Sequence, residues 1–208
     1  MNEQWKAAQE WELNWHDNCI NSLYEEEKQI VYAEKMGLVR TPTPKTPYNF
    51  DLEGKSVLDI GGGAYSLLLK CVNFSEARVV DPLMDSYPTW IKDRYHEMKI
   101  IPSCNTGEDL MGWIGDPYKI IDEVWIYNVL EHVSDPKKVI DNALQLGKIV
   151  RIFEWVETRL GVNNGHIHSF TEKQLNEWLG GEGKTEVIKR GGANGKAYYG
   201  IFKGRHYE

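Results

Sequence analysis

Three glycines, Gly61, Gly62 and Gly63, follow an acid-bearing apolar run in "VLDIGGG", and a second acid, Asp81, stands 20 residues after Gly61. A glycine turn at a strand end lets the backbone approach a ligand that a Cβ would block. An acid at that offset can accept both hydrogen bonds of a ribose diol. The pair therefore points to a nucleoside-bearing ligand. Acid–base capacity comes from His132 in "LEHVSDP" and from His166 and His168 in "GVNNGHIHSF". An imidazole titrates near neutrality and can remove a hydroxyl proton. Of His166 and His168, two residues apart in one Gly/Asn-rich loop, at most one is expected to face a substrate.

The residues beyond the turn narrow the kind of nucleoside. A pyrophosphate site needs a further glycine at the helix start, and Ser66 stands there with Tyr65 before it. Both side chains crowd a pyrophosphate, and Asp59 before the glycines repels one. An acid at that place suits an ammonium group. S-adenosylmethionine carries a ribose, an adenine and an ammonium, and no phosphate. No metal site is expected, because no carboxylate or cysteine near His166 and His168 in the sequence completes a ligand set.

The elements that must position these residues are legible from pattern. The chain has 208 residues and 41% hydrophobic content, enough for one sizeable core. After a Pro-rich connector, "RTPTPKTPYNF", short apolar strands alternate with helical segments. Strands are expected at 55–60, 77–81, 98–103, within 119–130, and at 147–156. Helices are expected at 64–72, 85–97, 107–114, 135–146 and from Ser169 to Gly181. Asp135 reads as an N-cap with Pro136 in the first turn, and Thr171 to Gln174 as a capping box with a Phe170–Leu175 staple. "KTEVIKR" and "KAYYGIF" around "GGANG" read as a closing hairpin. Alternating strands and helices imply a mostly parallel sheet, with its ligand outside the carboxyl ends of the strands.

"VLDIGGG", "VVD", "NVLEHVSDPKKVI" and "GHIHSFTEKQL" occur in the order of the motifs of class I S-adenosylmethionine-dependent methyltransferases, and residues 52 to 203 resemble that family. The resemblance implies an α/β, Rossmann-like three-layer sandwich. Its seven-stranded, mostly parallel sheet has the order 3-2-1-4-5-7-6, with strand 7 antiparallel. It places Asp59, Gly61, Gly62 and Gly63 around the methionine moiety and Asp81, followed by Pro82, at the ribose. Thr106, Gly107 and Glu108 fall beside the adenine, and Asn128 at the amino acid end. Tyr65 occupies the family's third glycine position.

The implied reaction moves a methyl group to a small-molecule acceptor, most naturally a hydroxyl oxygen, with S-adenosylhomocysteine as product. His168 is the first candidate base and His132 the second. Glu154, Trp155 and Glu157 are candidate acceptor-side residues. The alternatives are a non-enzymatic binder of S-adenosylmethionine or another nucleoside, and an NAD-dependent oxidoreductase with an irregular turn.

Residues 1–50 form an N-terminal helical extension and connector, ahead of a cofactor-binding domain at 51–208. Tryptophans at 5, 11 and 15 share one helix face. Three readings stay open for that face: core packing, a cap that brings Trp11 and Trp15 to the substrate beside His166, or a dimer interface. A formal charge of −7 disfavours nucleic acid and anionic membranes. Three scattered cysteines fit a reduced, cytoplasmic setting, and no apolar run approaches the roughly 20 residues that span a bilayer. A monomer or a homodimer is expected.

Overall fold

The computed structural model describes residues 3–16, 19–41, 49–110, 112, 119–157, 165–190 and 193–207. Most of the connector, residues 111, 113 and 114 of the 107–114 segment and the first part of the hairpin turn lie outside the described residues. Two helices come first, α1 (Glu3–His16) and α2 (Cys19–Lys35). Beyond α2, Gly37 takes φ +78°, a left-handed conformation that suits glycine at a helix end. The strands are β1 (Phe50–Asp51), β2 (Ser56–Ile60), β3 (Cys71–Val72), β4 (Glu76–Val80), β5 (Ile100–Ser103), β6 (Ile121–Tyr127), β7 (Gly147–Val156), β8 (Lys184–Arg190) and β9 (Ala193–Lys203). The later helices are α3 (Thr89–Glu97), α4 (Pro136–Leu146) and α5 (Glu172–Leu179).

Seven strands form one sheet in the order β5-β4-β2-β6-β7-β9-β8. Counted within this sheet, the order is 3-2-1-4-5-7-6, and β9 runs antiparallel to both neighbours. The pleat divides the core in two. Val57, Trp125, Tyr127, Phe153 and Trp155 face one side with Tyr32 and Met36, α3 and the residues after the glycine turn. Leu58, Ile60, Val124, Ile126, Val150 and Ile152 face the other with α4 and α5. Alternate residues of one strand thus serve two layers of helices. No described helix is long and apolar enough to cross a membrane.

The caps follow their sequence signals. Asp135 Oδ1 accepts the Lys138 amide at 3.0 Å, and Thr171 Oγ1 accepts the Gln174 amide at 3.2 Å. Gly180 ends α5 at φ +69°.

One expected element is different. Residues 64–72 do not form an α-helix; only Leu67–Lys70 make a 3-10 turn, and Cys71–Val72 are strand β3, paired with β1 in a separate two-stranded sheet. The Ser66 amide donates to the Tyr95 hydroxyl at 2.9 Å, and the Leu67 amide donates to the Tyr127 hydroxyl at 2.9 Å. These side-chain acceptors take the amides that open a helix, and pairing with β1 then draws the chain straight.

Candidate active site

The carboxyl ends of β2, β4, β5 and β6 open onto a cavity of about 480 Å³, within the size range of small-molecule sites. Its floor is Gly61–Gly63 after β2, Asp81 and Pro82 after β4, Thr106–Glu108 after β5, and Asn128 and Val129 after β6. The helical extension supplies another wall. Trp5, Gln9, Trp11, Glu12 and Trp15 come from α1, and Lys28, Gln29 and Tyr32 from α2. His132 and His166 complete the lining near α1.

The glycine turn is held from below. Gly61 and Gly63 take φ +72° and +61°. The Gly61 amide donates to Val80 O at 2.7 Å, and the Tyr95 hydroxyl donates to Gly63 O at 2.8 Å. The glycines are required by the protein itself. A Cβ on Gly61 would lie 2.0 Å from Val129 Cγ2, and one on Gly62 2.7 Å from Asp59 Oδ2. The packing and the left-handed backbone demand glycine whatever the ligand, and the turn's backbone also lines the cavity.

Asp59 does not reach the cavity. Two residues after Val57, it shares that residue's face of the sheet and is fully buried beneath the turn. Its Oδ2 accepts from the Ser66 and Tyr127 hydroxyls, and Oδ1 has no hydrogen-bond partner. Burial pushes its pKa up to about 7, the two hydrogen bonds offset part of this, and the Asp81 charge adds to the rise.

Asp81 lines the cavity and braces it. Oδ2 accepts the Gly63 amide at 3.0 Å, while Oδ1 accepts the Leu83 amide at 2.8 Å. Asn128 takes φ +51°, and its Oδ1 is buried without a hydrogen-bond partner. Glu108 also lines the cavity, but its Oε1 accepts the Ser134 amide, the Ser134 hydroxyl and the Asp135 amide at 2.6–3.0 Å. That oxygen holds the start of α4. The Thr106 hydroxyl donates to Asp109 Oδ2 at 3.2 Å.

The histidines separate by their neighbours. His132 Nδ1 lies 2.8 Å from Gly165 O and 3.0 Å from Glu12 Oε1 on α1. A carbonyl only accepts, so Nδ1 carries the hydrogen. Burial lowers the His132 pKa, but Glu12, Glu131 and the Gly165 carbonyl outweigh it and raise the value to about 9. His166 Nε2 lies 3.4 Å from Glu131 Oε1, and its ring meets the His132 ring edge-on at 4.9 Å. His168 points away from the cavity, and its Nε2 donates to Val133 O at 2.8 Å. Residues two apart share a side of extended backbone, so the separation of this pair comes from the course of the loop and not from strand alternation; the one that lines the cavity is His166. His168, expected as the first candidate base, is not among the cavity-lining residues, and its ring braces the loop through Val133.

Trp11 and Trp15 stack at 5.6 Å, and Trp11 meets His166 at 6.0 Å. A Cβ on Gly165 would strike the Trp11 ring at 2.5 Å, so the loop after β7 and α1 meet face to face there. Glu154, Trp155 and Glu157 do not line the cavity. Glu154 is buried beneath it and accepts the Val129 and Leu130 amides at 3.0 Å each. Burial and the Glu131 charge raise its pKa to about 8. Trp155 packs in the core, and exposed Glu157 pairs with Lys196 at 2.8 Å.

Sequence reasoning passed over Glu12, Tyr127 and Glu131. Tyr127 and Glu131 flank Asn128 and His132 in the singled-out "YNVLEH", and Glu12 lies beside Trp11, so only position in the chain signalled them.

No protein-family model and no curated protein sequence matches the chain. Its structure is similar to many solved ones. Magnesium protoporphyrin IX methyltransferase from Synechocystis PCC 6803, solved with S-adenosylhomocysteine, shares 12% identity at TM-score 0.61, over 89% of this chain and 88% of that one. The N-methyltransferase NodS from Bradyrhizobium japonicum WM9, also with S-adenosylhomocysteine, shares 13% at TM-score 0.54, over 88% of each. The [4+2]-cyclase SpnF shares 17% at TM-score 0.51, over 78% of this chain and 57% of that one. At these identities the likeness is one of fold. The strand order, the lone antiparallel strand and these neighbours agree: the chain has the fold of the class I S-adenosylmethionine-dependent methyltransferases.

Proposed function

We propose that this protein transfers a methyl group from S-adenosylmethionine to a hydroxyl oxygen of a small-molecule acceptor, releasing S-adenosylhomocysteine. The observation that carries the reading is one cavity in which Gly61–Gly63 and Asp81 share a wall system with Trp11, Trp15, His132 and His166. A nucleoside end and an acceptor end thus meet in one space.

The residues fit the cofactor. A carboxylate offers about four acceptor sites; the Gly63 and Leu83 amides and the Tyr87 hydroxyl already meet that of Asp81, and ribose hydroxyls would share it with them. Asn128 Oδ1, buried without a partner on a lining residue, is an acceptor for the ammonium group. Pro82, Thr106 and Gly107 flank the place for adenine. Asp59 contributes through the turn it supports, since it does not face the cavity. When bound, S-adenosylmethionine supplies an electrophilic methyl carbon on a sulfonium. The chain's part is to align the acceptor oxygen with that carbon and to keep water out. The α1 tryptophans serve both ends, as an apolar wall and a stacking surface. His166 is the imidazole best placed on the cavity wall to meet the acceptor, because His132 is clasped between Glu12 and Gly165. The acidic chain argues against a nucleic-acid acceptor. Its widely spaced cysteines suit a cytoplasmic setting.

The absence of an α-helix directly after the glycine turn argues against NAD, because a pyrophosphate would have no helix N-terminus to meet. The alternative is a binder without acceptor chemistry, and one neighbour of this fold is a cyclase, so the fold by itself does not imply methyl transfer. Incubation with methyl-labelled S-adenosylmethionine and a panel of glycans, phenols and hydroxy acids separates the two. Label on an acceptor supports methyl transfer; good cofactor affinity with no label on any acceptor favours the binder.

A further inference from the structure

Glu131 Oε1 is buried with no hydrogen-bond partner. Two imidazole nitrogens face it, His166 Nε2 at 3.4 Å and His132 Nε2 at 3.6 Å. The ligand atoms of these three residues all lie within 4.8 Å of one another. These separations are too long for good hydrogen bonds. They are the right length for a shared cation, since two donors about 2.1 Å from one ion at tetrahedral angles stand about 3.4 Å apart. The ring orientation also fits. His132 Nδ1–H is committed to the Gly165 carbonyl and Glu12, so Nε2 is the nitrogen turned toward Glu131, where a binding ion takes the place of its proton. A metal-bound histidine is oriented in this way by a carbonyl or carboxylate on its other nitrogen.

We propose that Glu131, His132 and His166 hold a divalent transition-metal ion of the zinc or iron class at the acceptor end of the cavity. Two imidazoles and one carboxylate suit these ions and do not suit magnesium. Three protein ligands leave coordination positions open, and His132 and His166 line the cavity, so those positions face it. Resting on the methyl-transfer reading, the site selects an acceptor with oxygen donors, such as a vicinal diol or a hydroxy acid. The sequence hid the site because its carboxylate stands next to His132, far along the chain from His166.

The test is calorimetry and metal analysis on the purified, chelator-stripped chain with Zn²⁺, Co²⁺ and Mg²⁺. The expected result is one Zn²⁺ per chain at micromolar affinity or tighter. Co²⁺ should give the visible absorption of a low-symmetry site, and Mg²⁺ should bind weakly. His166→Ala, at a partly exposed position, and Glu131→Gln should each weaken Zn²⁺ by more than the about 10–100-fold that outer-shell changes cost. Thermal melts establish that His166→Ala is folded. No stoichiometric Zn²⁺, Mg²⁺ as tight as Zn²⁺, or Zn²⁺ affinity unchanged in folded His166→Ala would each overturn the site. S-adenosylhomocysteine is titrated separately. Its binding without zinc binding overturns only the ion, and zinc binding without it overturns only the methyl-transfer reading.

Discussion

Asp81 Oδ2 accepts the Gly63 amide at 3.0 Å, so the acid that ends β4 holds the glycine turn that ends β2. One carboxylate thereby positions the turn and lines the cavity.

Asp81→Ala should therefore lower two quantities at once. S-adenosylhomocysteine affinity should fall by about 1–3 kcal/mol, and the melting temperature should drop as the Gly63 and Leu83 amides lose their acceptor. Calorimetry and a thermal melt on the same sample check both. Undiminished affinity in a folded variant would remove Asp81 from the binding site.

Gly61→Ala tests what the glycines are for. The residue combines φ +72° with a Cβ position 2.0 Å from Val129 Cγ2. The variant should lose about 1–3 kcal/mol of stability or more, with or without ligand present. Urea unfolding measures it; a variant as stable as the parent would show that the turn is not packed as described.

Asp59 makes a pH prediction. The folded protein raises this pKa to about 7, chiefly by burial. The unfolded chain titrates it near the ordinary value of about 3.9. The associated stability is full below about pH 4 and is lost as pH climbs to about 7. Asp59→Asn should remove this decline, on the order of 2–4 kcal/mol across that range. Denaturant unfolding at a series of pH values would show a flatter profile for the variant; parallel profiles would contradict the assignment.

Arg151 ties the extension to the sheet. It pairs with buried Glu123 at 2.6 and 3.0 Å and donates to Met36 O beyond α2 at 2.6 Å. Arg151→Met leaves buried Glu123 with only Lys55 at 3.3 Å and the Trp125 indole N–H at 2.9 Å, and should cost about 3–5 kcal/mol; adding Glu123→Leu should recover part of it. Chemical denaturation of the single and double variants decides the matter. Equal instability of both would mean that the pair is not what Arg151 stabilises.

Trp11→Ala removes a ring that packs on Gly165 and His166. For an acceptor that turns over, KM should rise while S-adenosylhomocysteine affinity stays nearly constant. Steady-state kinetics with calorimetry separates the two, and a loss confined to cofactor affinity would place Trp11 at the wrong end.

The sheet was legible because each strand is a short apolar run bounded by turn residues, and the caps at Asp135 and Thr171 are local chemistry. The segment after Gly63 was not. "AYSLLLKCV" has a helix-compatible apolar pattern, but distant Tyr95 and Tyr127 take its opening amides and β1 pairs with its end. Asp59 was recognisable as important, while its direction depended on strand parity with Val57. For His166 and His168 the separation was not readable, because a two-residue spacing puts both on one side of extended backbone; it follows from the loop docked on Glu131, whose carbonyl accepts the Ile167 amide at 2.8 Å.

The most direct measurement of the central claim is a parallel calorimetric titration of the purified chain with S-adenosylhomocysteine and with NAD. One saturable S-adenosylhomocysteine site, weakened by Asp81→Ala, is predicted, with no comparable NAD binding. Tight NAD binding with no response to S-adenosylhomocysteine would contradict it.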